Sequence, residues 1–229
     1  MKTKLIIIAS ILLFSACLIM AQTTENGKIS FAVLGGVNFQ TFNGKESDGD
    51  KIENDLLIAY HAGLNVAIPV APQFYFQPGI MFSVKGAKNT SVGIIGPFTG
   101  TCKLSYIEVP LNVVYKGLLG NGYVMVGFGP YIGYAIKGKV SYESGSVTVD
   151  SDMEFKKVVD SSDPALTTYF KAMDAGGNIF FGFEMSSGLF LQLNAQLGML
   201  NIAPEDNRPL RSNPDVKNTG YGLSLGYRF

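Results

Sequence analysis

The chain has 229 residues, of which 16% are charged, with 18 Lys+Arg balanced by 18 Asp+Glu, one His, no Trp and 27 Gly. Balanced charge excludes the basic footprint of a nucleic-acid binder, and one His with two Cys excludes a His/Cys metal centre and a disulfide framework. The charged share lies below the roughly 25% of ordinary soluble domains, which predicts strands whose exterior does not face water.

Lys2 and Lys4 precede an apolar run over residues 5–20, followed by Ala21 and a polar stretch from Gln22 to Gly27. This is the charged, apolar and small-residue order of a secretory signal peptide, which predicts a leader over 1–21 and one β-barrel domain over 22–229. Two other readings stand beside it. One is a membrane anchor helix, for which the run is short. The other is a lipoprotein signal acylated at Cys17.

Beyond residue 28 the pattern is period two, the signature of strands with two unlike faces. Eight strands are predicted in chain order: 29–41, 58–69, 74–85, 105–116, 123–137, 178–185, 189–199 and 220–229. The last is the clearest. Tyr221, Leu223, Leu225, Tyr227 and Phe229 alternate with Gly220, Gly222, Ser224, Gly226 and Arg228. Over all eight, one face carries no charge. The other carries Lys85, Glu108, Lys116, Lys137, Glu184 and Arg228, with His61 and most of the glycines.

Such faces suit either a soluble barrel or sandwich with the apolar face inward, or a transmembrane barrel with it outward. Crowding favours the second, because an eight-stranded interior is just wide enough for ordinary side chains. The glycine-rich face fills it better than a face of large aliphatic and aromatic residues. Link lengths agree. Links at 70–73, 117–122 and 186–188 are short, whereas those at 42–57, 86–104, 138–177 and 200–219 are long and polar. Short periplasmic turns with long outer loops are the asymmetry of outer-membrane barrels, which puts both termini in the periplasm.

Several segments resemble the PorT-like outer-membrane β-barrel family of Gram-negative bacteria. They are Gly36-Val37-Asn38-Phe39, Pro78-Gly79, Tyr106-Ile107-Glu108-Val109-Pro110-Leu111, Gly127-Phe128-Gly129-Pro130-Tyr131, Gly188-Leu189-Phe190-Leu191 and Leu223-Ser224-Leu225-Gly226-Tyr227-Arg228-Phe229. The resemblance implies an all-β, eight-stranded antiparallel up-and-down transmembrane barrel in the outer membrane, and little about activity. The terminal aromatic resembles the signal read by the outer-membrane insertion machinery.

Interior charges need partners, because an unpaired ion away from bulk water is expensive. Arg228 is therefore expected to pair across the lumen with Glu184 or Glu108. His61 is the sole candidate general base; its neighbours Tyr60 and Ala62 fall on the lipid face, which turns it to the lumen and predicts a hydrogen-bonded interior residue. The first outer loop, 45–55, has five carboxylates but lacks the spacing of a calcium loop. In the third, Ser162-Asp163-Pro164 reads as a helix start and Gly176-Gly177 as a stop. Leu166, Tyr169, Phe170 and Met173 then form the apolar face of a short helix over 164–173 that seals the mouth or presents an adhesive surface, sealing being the more economical because all four apolar residues need cover.

The expected protein is a monomeric, non-enzymatic barrel without cofactor or metal. Its partners are outer-membrane lipid, the insertion machinery during biogenesis, and an envelope or extracellular molecule reached through the outer loops, with secretion among the roles to consider. Three rivals remain: a lipid-modifying outer-membrane enzyme, a small pore, and a soluble carrier.

Overall fold

The structure is a computed structural model that describes residues 28–46, 49–93, 96–209 and 213–229. The expected leader and Cys17 lie outside the described residues. The strands are β1 (Ser30–Lys45), β2 (Leu57–Ala71), β3 (Phe74–Gly93), β4 (Gly96–Leu119), β5 (Gly122–Ser144), β6 (Val147–Phe155), β7 (Val158–Val159), β8 (Thr168–Phe170), β9 (Met173–Met185), β10 (Leu189–Gly198), β11 (Glu205–Asp206) and β12 (Asp215–Arg228).

Ten strands make one sheet in the order β4-β3-β2-β1-β12-β10-β9-β5-β6-β8, and a further ladder between β4 and β5 closes it into a barrel. Strands β6 and β8 lie outside that circuit and continue the sheet beyond the rim; β7 and β11 form a separate parallel pair. Every ladder of the circuit is antiparallel, including the seam that joins β1 to β12 from Ala32↔Arg228 to Lys45↔Asp215. Closure leaves no bare strand edge in the wall, as hydrocarbon requires.

The sheet extends past the predicted strands, since 147–155 and 168–170 add two further strands to it where it rises above the barrel. One expectation is corrected: there is no helix over 164–173. Asp163 does not cap a helix; its carboxylate accepts from the Asp160 backbone N–H at 3.0 Å and from the Lys156 ammonium, closing a turn. Nor do Gly176 and Gly177 stop one. They lie within β9, where a Cβ on Gly176 would come 2.1 Å from the Leu197 carbonyl oxygen, so strand packing requires the glycine.

The charge-free face is the outer surface. Ile58, Phe128, Leu193 and Tyr221 are each 60% exposed or more, and comparable residues ring the barrel. The inward face buries Gln40, His61, Gln77, Lys85, Glu108, Asn112, Asp174 and Ser224. This inverts the usual arrangement of a water-soluble domain. Tight links at one end (72–73, 120–121 and 186–188) contrast with the other, here called the turn end and the loop end, where longer links join β1 to β2 and β10 to β12; the long loop expected over 86–104 is instead largely strand, since β3 runs to Gly93 and β4 starts at Gly96.

The loop end carries its own apolar core. Leu104, Tyr106, Ala135, Val140, Met153, Ile202, Ala203 and Val216 cluster there, with Phe42, Phe155 and Phe170 against them. Backbone bonds stitch the third loop to the fourth: Lys171 N donates to Ile202 O at 2.7 Å, and Glu205 N to Lys157 O at 2.9 Å. Together these segments cover the mouth.

Candidate functional site: the polar interior of the barrel

The interior holds three layers of polar side chains. At the loop end, Lys85 on β3 is fully buried, with Nζ 2.6 Å from Glu108 Oε1 on β4 and 3.0 Å from Asp174 Oδ2 on β9. The Tyr131 hydroxyl and Asn218 Nδ2 also donate to Asp174 Oδ2, at 3.2 and 2.9 Å. The ammonium lies 4.1 Å from the centroid of the Tyr131 ring, a cation–π contact. Glu108 Oε2 accepts from Gln196 at 3.1 Å.

At the turn end, Glu184 on β9 takes two cations. Lys116 Nζ from β4 is 2.9 and 2.8 Å from its oxygens, and Arg228 Nε from β12 is 2.8 Å from Oε2. Arg228 also reaches Asn65 Oδ1 at 3.3 Å and Gln77 Oε1 at 3.4 Å. A buried carboxylate bridging two cations from different strands fastens the wall across its interior, and removing one member leaves the others uncompensated.

Between these layers His61 Nδ1 lies 2.7 Å from Asn38 Oδ1, and Nε2 lies 2.7 Å from Ser224 Oγ. The Asn38 oxygen can only accept, so Nδ1 carries the proton and Nε2 accepts from the serine. The geometry follows from register: β1 runs between β2 and β12, and Gly36 pairs with His61 on one side and Ser224 on the other. A Cβ on Gly36 would sit 1.9 Å from the Leu223 carbonyl oxygen. The missing side chain lets the flanking residues meet above it. Asn38 and Asn194 continue the row, Asn38 Nδ2 donating to Ser83 Oγ at 3.2 Å and Asn194 Nδ2 to Ser224 Oγ at 2.7 Å.

A cavity of about 80 Å³ lies beside this row, lined by Asn38, Gln40, His61, Gln77, Asn112 and Gln192 among others. Gln40 Oε1 and Asn112 Oδ1 have no protein partner. Its size and polarity suit a few ordered waters. Ser224, His61 and Asn38 share the hydrogen-bond order of a nucleophile, its base and an orienting group. Ser224 is fully buried, however, and Tyr60 and Ala62 hold the outer surface beside His61. Acyl substrate on the outside has the wall between it and the serine.

Of the expected interior residues, Glu184 and Arg228 meet, whereas Glu108 belongs to the other layer with Lys85. Sequence reasoning had Lys85 and Lys116 on the inward face without partners and missed Asp174, because it began the sixth strand at 178. Asp174 shares the even-numbered phase of Asn178 and Glu184, so a longer strand would have placed it inward. The four residues of the expected helix do not share a face. Leu166 is 98% exposed, Met173 opens β9 on the outer surface, and Phe170 packs at 5.9 Å against Phe42 in the mouth. Tyr169 is buried, with Lys156 Nζ and Arg208 Cζ at 5.8 and 5.6 Å from its ring. Among the described residues no group of three His, Cys, Asp or Glu could hold a metal ion. Cys102 is a free thiol.

A closed antiparallel barrel with an apolar outer wall and an ion-paired interior defines the outer-membrane barrel class. The chain belongs to the outer membrane protein beta-barrel domain family, whose family model matches residues 20–203. No curated protein matches the sequence. Solved structures similar to it include Ail, the attachment invasion locus protein of Yersinia pestis, at 12% identity and a TM-score of 0.41, covering 89% of this chain and 100% of that one. Another is Neisserial surface protein A, at 14% identity and a TM-score of 0.40, covering 88% and 98%.

Proposed function

We propose that this chain is an integral, monomeric, eight-stranded transmembrane barrel of the PorT-like kind. In this reading it is non-enzymatic, both termini lie on the periplasmic side, and the loop-end head contacts envelope or extracellular molecules. The outer-membrane insertion machinery would deliver it, and membrane lipid would cover its wall. The observation that carries the reading is the continuous exposed apolar wall around a charged, hydrogen-bonded interior. Charge at the axis and apolar groups outside minimise free energy only when the outside is hydrocarbon. The folded mouth core supports a contact role over transport, because it and the two ion-paired layers lie across any axial path.

The test is solubility and insertion of the mature chain. It is expected to need detergent, to insert into lipid vesicles, and to resist extraction at alkaline pH. In those vesicles, protease is expected to cut the long loops and spare the turn end. A compact monomer in detergent-free buffer would overturn the reading.

A further inference from the structure

The two ion-paired layers are not balanced one by one. At the turn end Glu184 faces two cations, Lys116 and Arg228, and all three side chains keep 6 to 10% exposure. At the loop end Lys85 faces two carboxylates, Glu108 and Asp174, in drier surroundings, with side chains 0, 3 and 0% exposed. Among the described residues no second cation pairs with either carboxylate. His61 adds no charge, because its Nε2 accepts from Ser224 and the ring is neutral. The loop-end layer is therefore one positive charge short, and a buried charge without a partner is costly.

Unpartnered acceptors gather around the same layer. Asp174 Oδ1 and Asn218 Oδ1 are buried without a donor. The Asn218 amide is fixed in orientation, because its Nδ2 donates to Asp174 Oδ2, which can only accept. On the turn-end side of Glu108, register sets a ring of amides: Gln40 on β1, Gln196 on β10, Asn178 on β9 and Asn112 on β4, with Gly220 and Gly129 spacing them. Gly220 makes room for Gln40, since a Cβ there would lie 2.6 Å from the amide oxygen. These amides and Glu108 line the cavity of about 80 Å³, and Gln196 is tied to Glu108 at 3.1 Å. Gln40 and Asn112 are 2% and 7% exposed, and the Oε1 of one and Oδ1 of the other have no partner.

We propose that this cavity binds one alkali-metal ion, held against Glu108 by the Gln40 and Asn112 oxygens and by water. Amide oxygens replace the hydration shell of such an ion. Asn178 Nδ2, the unpartnered donor of the ring, suits a water of hydration. Water alone would satisfy the amides and leave the charge uncorrected. A divalent ion would overshoot the deficit, and such ions take more carboxylates than Glu108, the one that faces the cavity. The bound ion completes the loop-end layer as Lys116 and Arg228 complete the other. This goes beyond the contact role proposed above and depends on the closed barrel alone.

The experiment titrates the protein, folded in an uncharged detergent, with sodium and separately with potassium. Ionic strength is held constant with N-methylglucamine, which is too large for the cavity. Thermal unfolding is followed as loss of the compact band on unheated gels. Tm is expected to rise and saturate with at least one of the two ions, by roughly 4 °C once that ion stands at about ten times its dissociation constant. E108Q and D174N each bring the layer to balance and are expected to abolish the increment. N112L is expected to move the midpoint to higher ion concentration. E184Q, at the far end, is expected to lower Tm and keep the increment. No saturable rise with either ion would overturn the site, leaving water or a proton to meet the orphaned oxygens. A rise that survives in both E108Q and D174N would overturn it equally, placing the ion elsewhere on the protein.

Discussion

Arg228 and Glu184 meet at 2.8 Å across the turn end of the barrel, joining strands β12 and β9, which are not ladder neighbours because β10 runs between them. Their contact is a crosslink that the backbone ladders do not supply, and Lys116 makes it three-stranded from β4. Glu184→Ala leaves two buried cations without a counter-ion. A loss of about 3–5 kcal/mol in unfolding free energy is expected. Urea titration in detergent checks it, and a midpoint equal to wild type would mean the triad contributes nothing.

The row over Gly36 makes a sharper test. Replacing Gly36 by Ala puts a Cβ within 1.9 Å of a backbone oxygen across the seam, which no rotamer change relieves. Gly36→Ala is expected to cost more than about 4 kcal/mol and to abolish the compact, unheated gel species. Normal yield of that species would show that β1 and β12 are not so closely apposed.

His61 and Ser224 should behave as one unit. His61→Leu takes the partner from the Asn38 Oδ1 acceptor and from the Ser224 hydroxyl proton, at about 1–3 kcal/mol for each buried group left unmet. Ser224→Ala alone should cost less. In a double-mutant cycle the coupling is expected to reach about 0.5–3 kcal/mol. Strict additivity would mean that the 2.7 Å contacts of the ring hold no energy.

Position relative to the membrane separates two exposed leucines. Leu193 lies on the outer wall, 60% exposed, and Leu166 at the tip of the third loop, 98% exposed. Leu193→Arg is expected to cost about 2–4 kcal/mol and lower insertion into vesicles, whereas Leu166→Arg should be silent. Equal tolerance at both sites would mean that the wall does not meet lipid.

Acid acts on the third loop in a direction that can be stated. The Lys156 ammonium bonded to Asp163, with help from the Asp160 backbone N–H, holds that carboxyl below the ordinary carboxylate value. The unfolded chain therefore takes up a proton before the folded turn does. The contact stabilises at pH above the ordinary value and is lost as pH falls through the depressed one. Hydrogen exchange over residues 160–167 should quicken in that acid window, and Lys156→Gln should weaken the dependence, leaving the part due to the Asp160 N–H.

Much of the barrel wall was legible in the sequence, because period-two alternation over segments such as 189–199 and 220–229 records directly which side chains meet lipid. Short links and the inward places of Lys85 and Lys116 were legible for the same reason, whereas Lys137, expected inward, is turned outward by the bulge opposite Ser105 and Tyr106. The strand ends were not. Above the wall both faces of β6 are exposed from Val147 to Asp152, so hydrophobic contrast disappears although the ladder with β5 continues. Asp174 was hidden because Gly176-Gly177 reads as the stop of a helix, which puts the start of its strand at 178. The expected helix failed on chemistry that serves two structures, since Asp163 bonds a turn as readily as a helix start, and paired glycines admit a neighbouring strand as well as they end a helix. Partner choice inside the barrel was illegible because it depends on stagger between strands distant in sequence, as for Lys85 with Asp174.

The β1–β12 seam has a consequence for biogenesis. Its two sides come from opposite ends of the barrel domain, so no nascent fragment holds both edges, and every shorter intermediate presents a bare strand at each flank. Until the domain is finished both flanks can pair with other copies of the chain, so closing the circuit is the step that ends this exposure to aggregation.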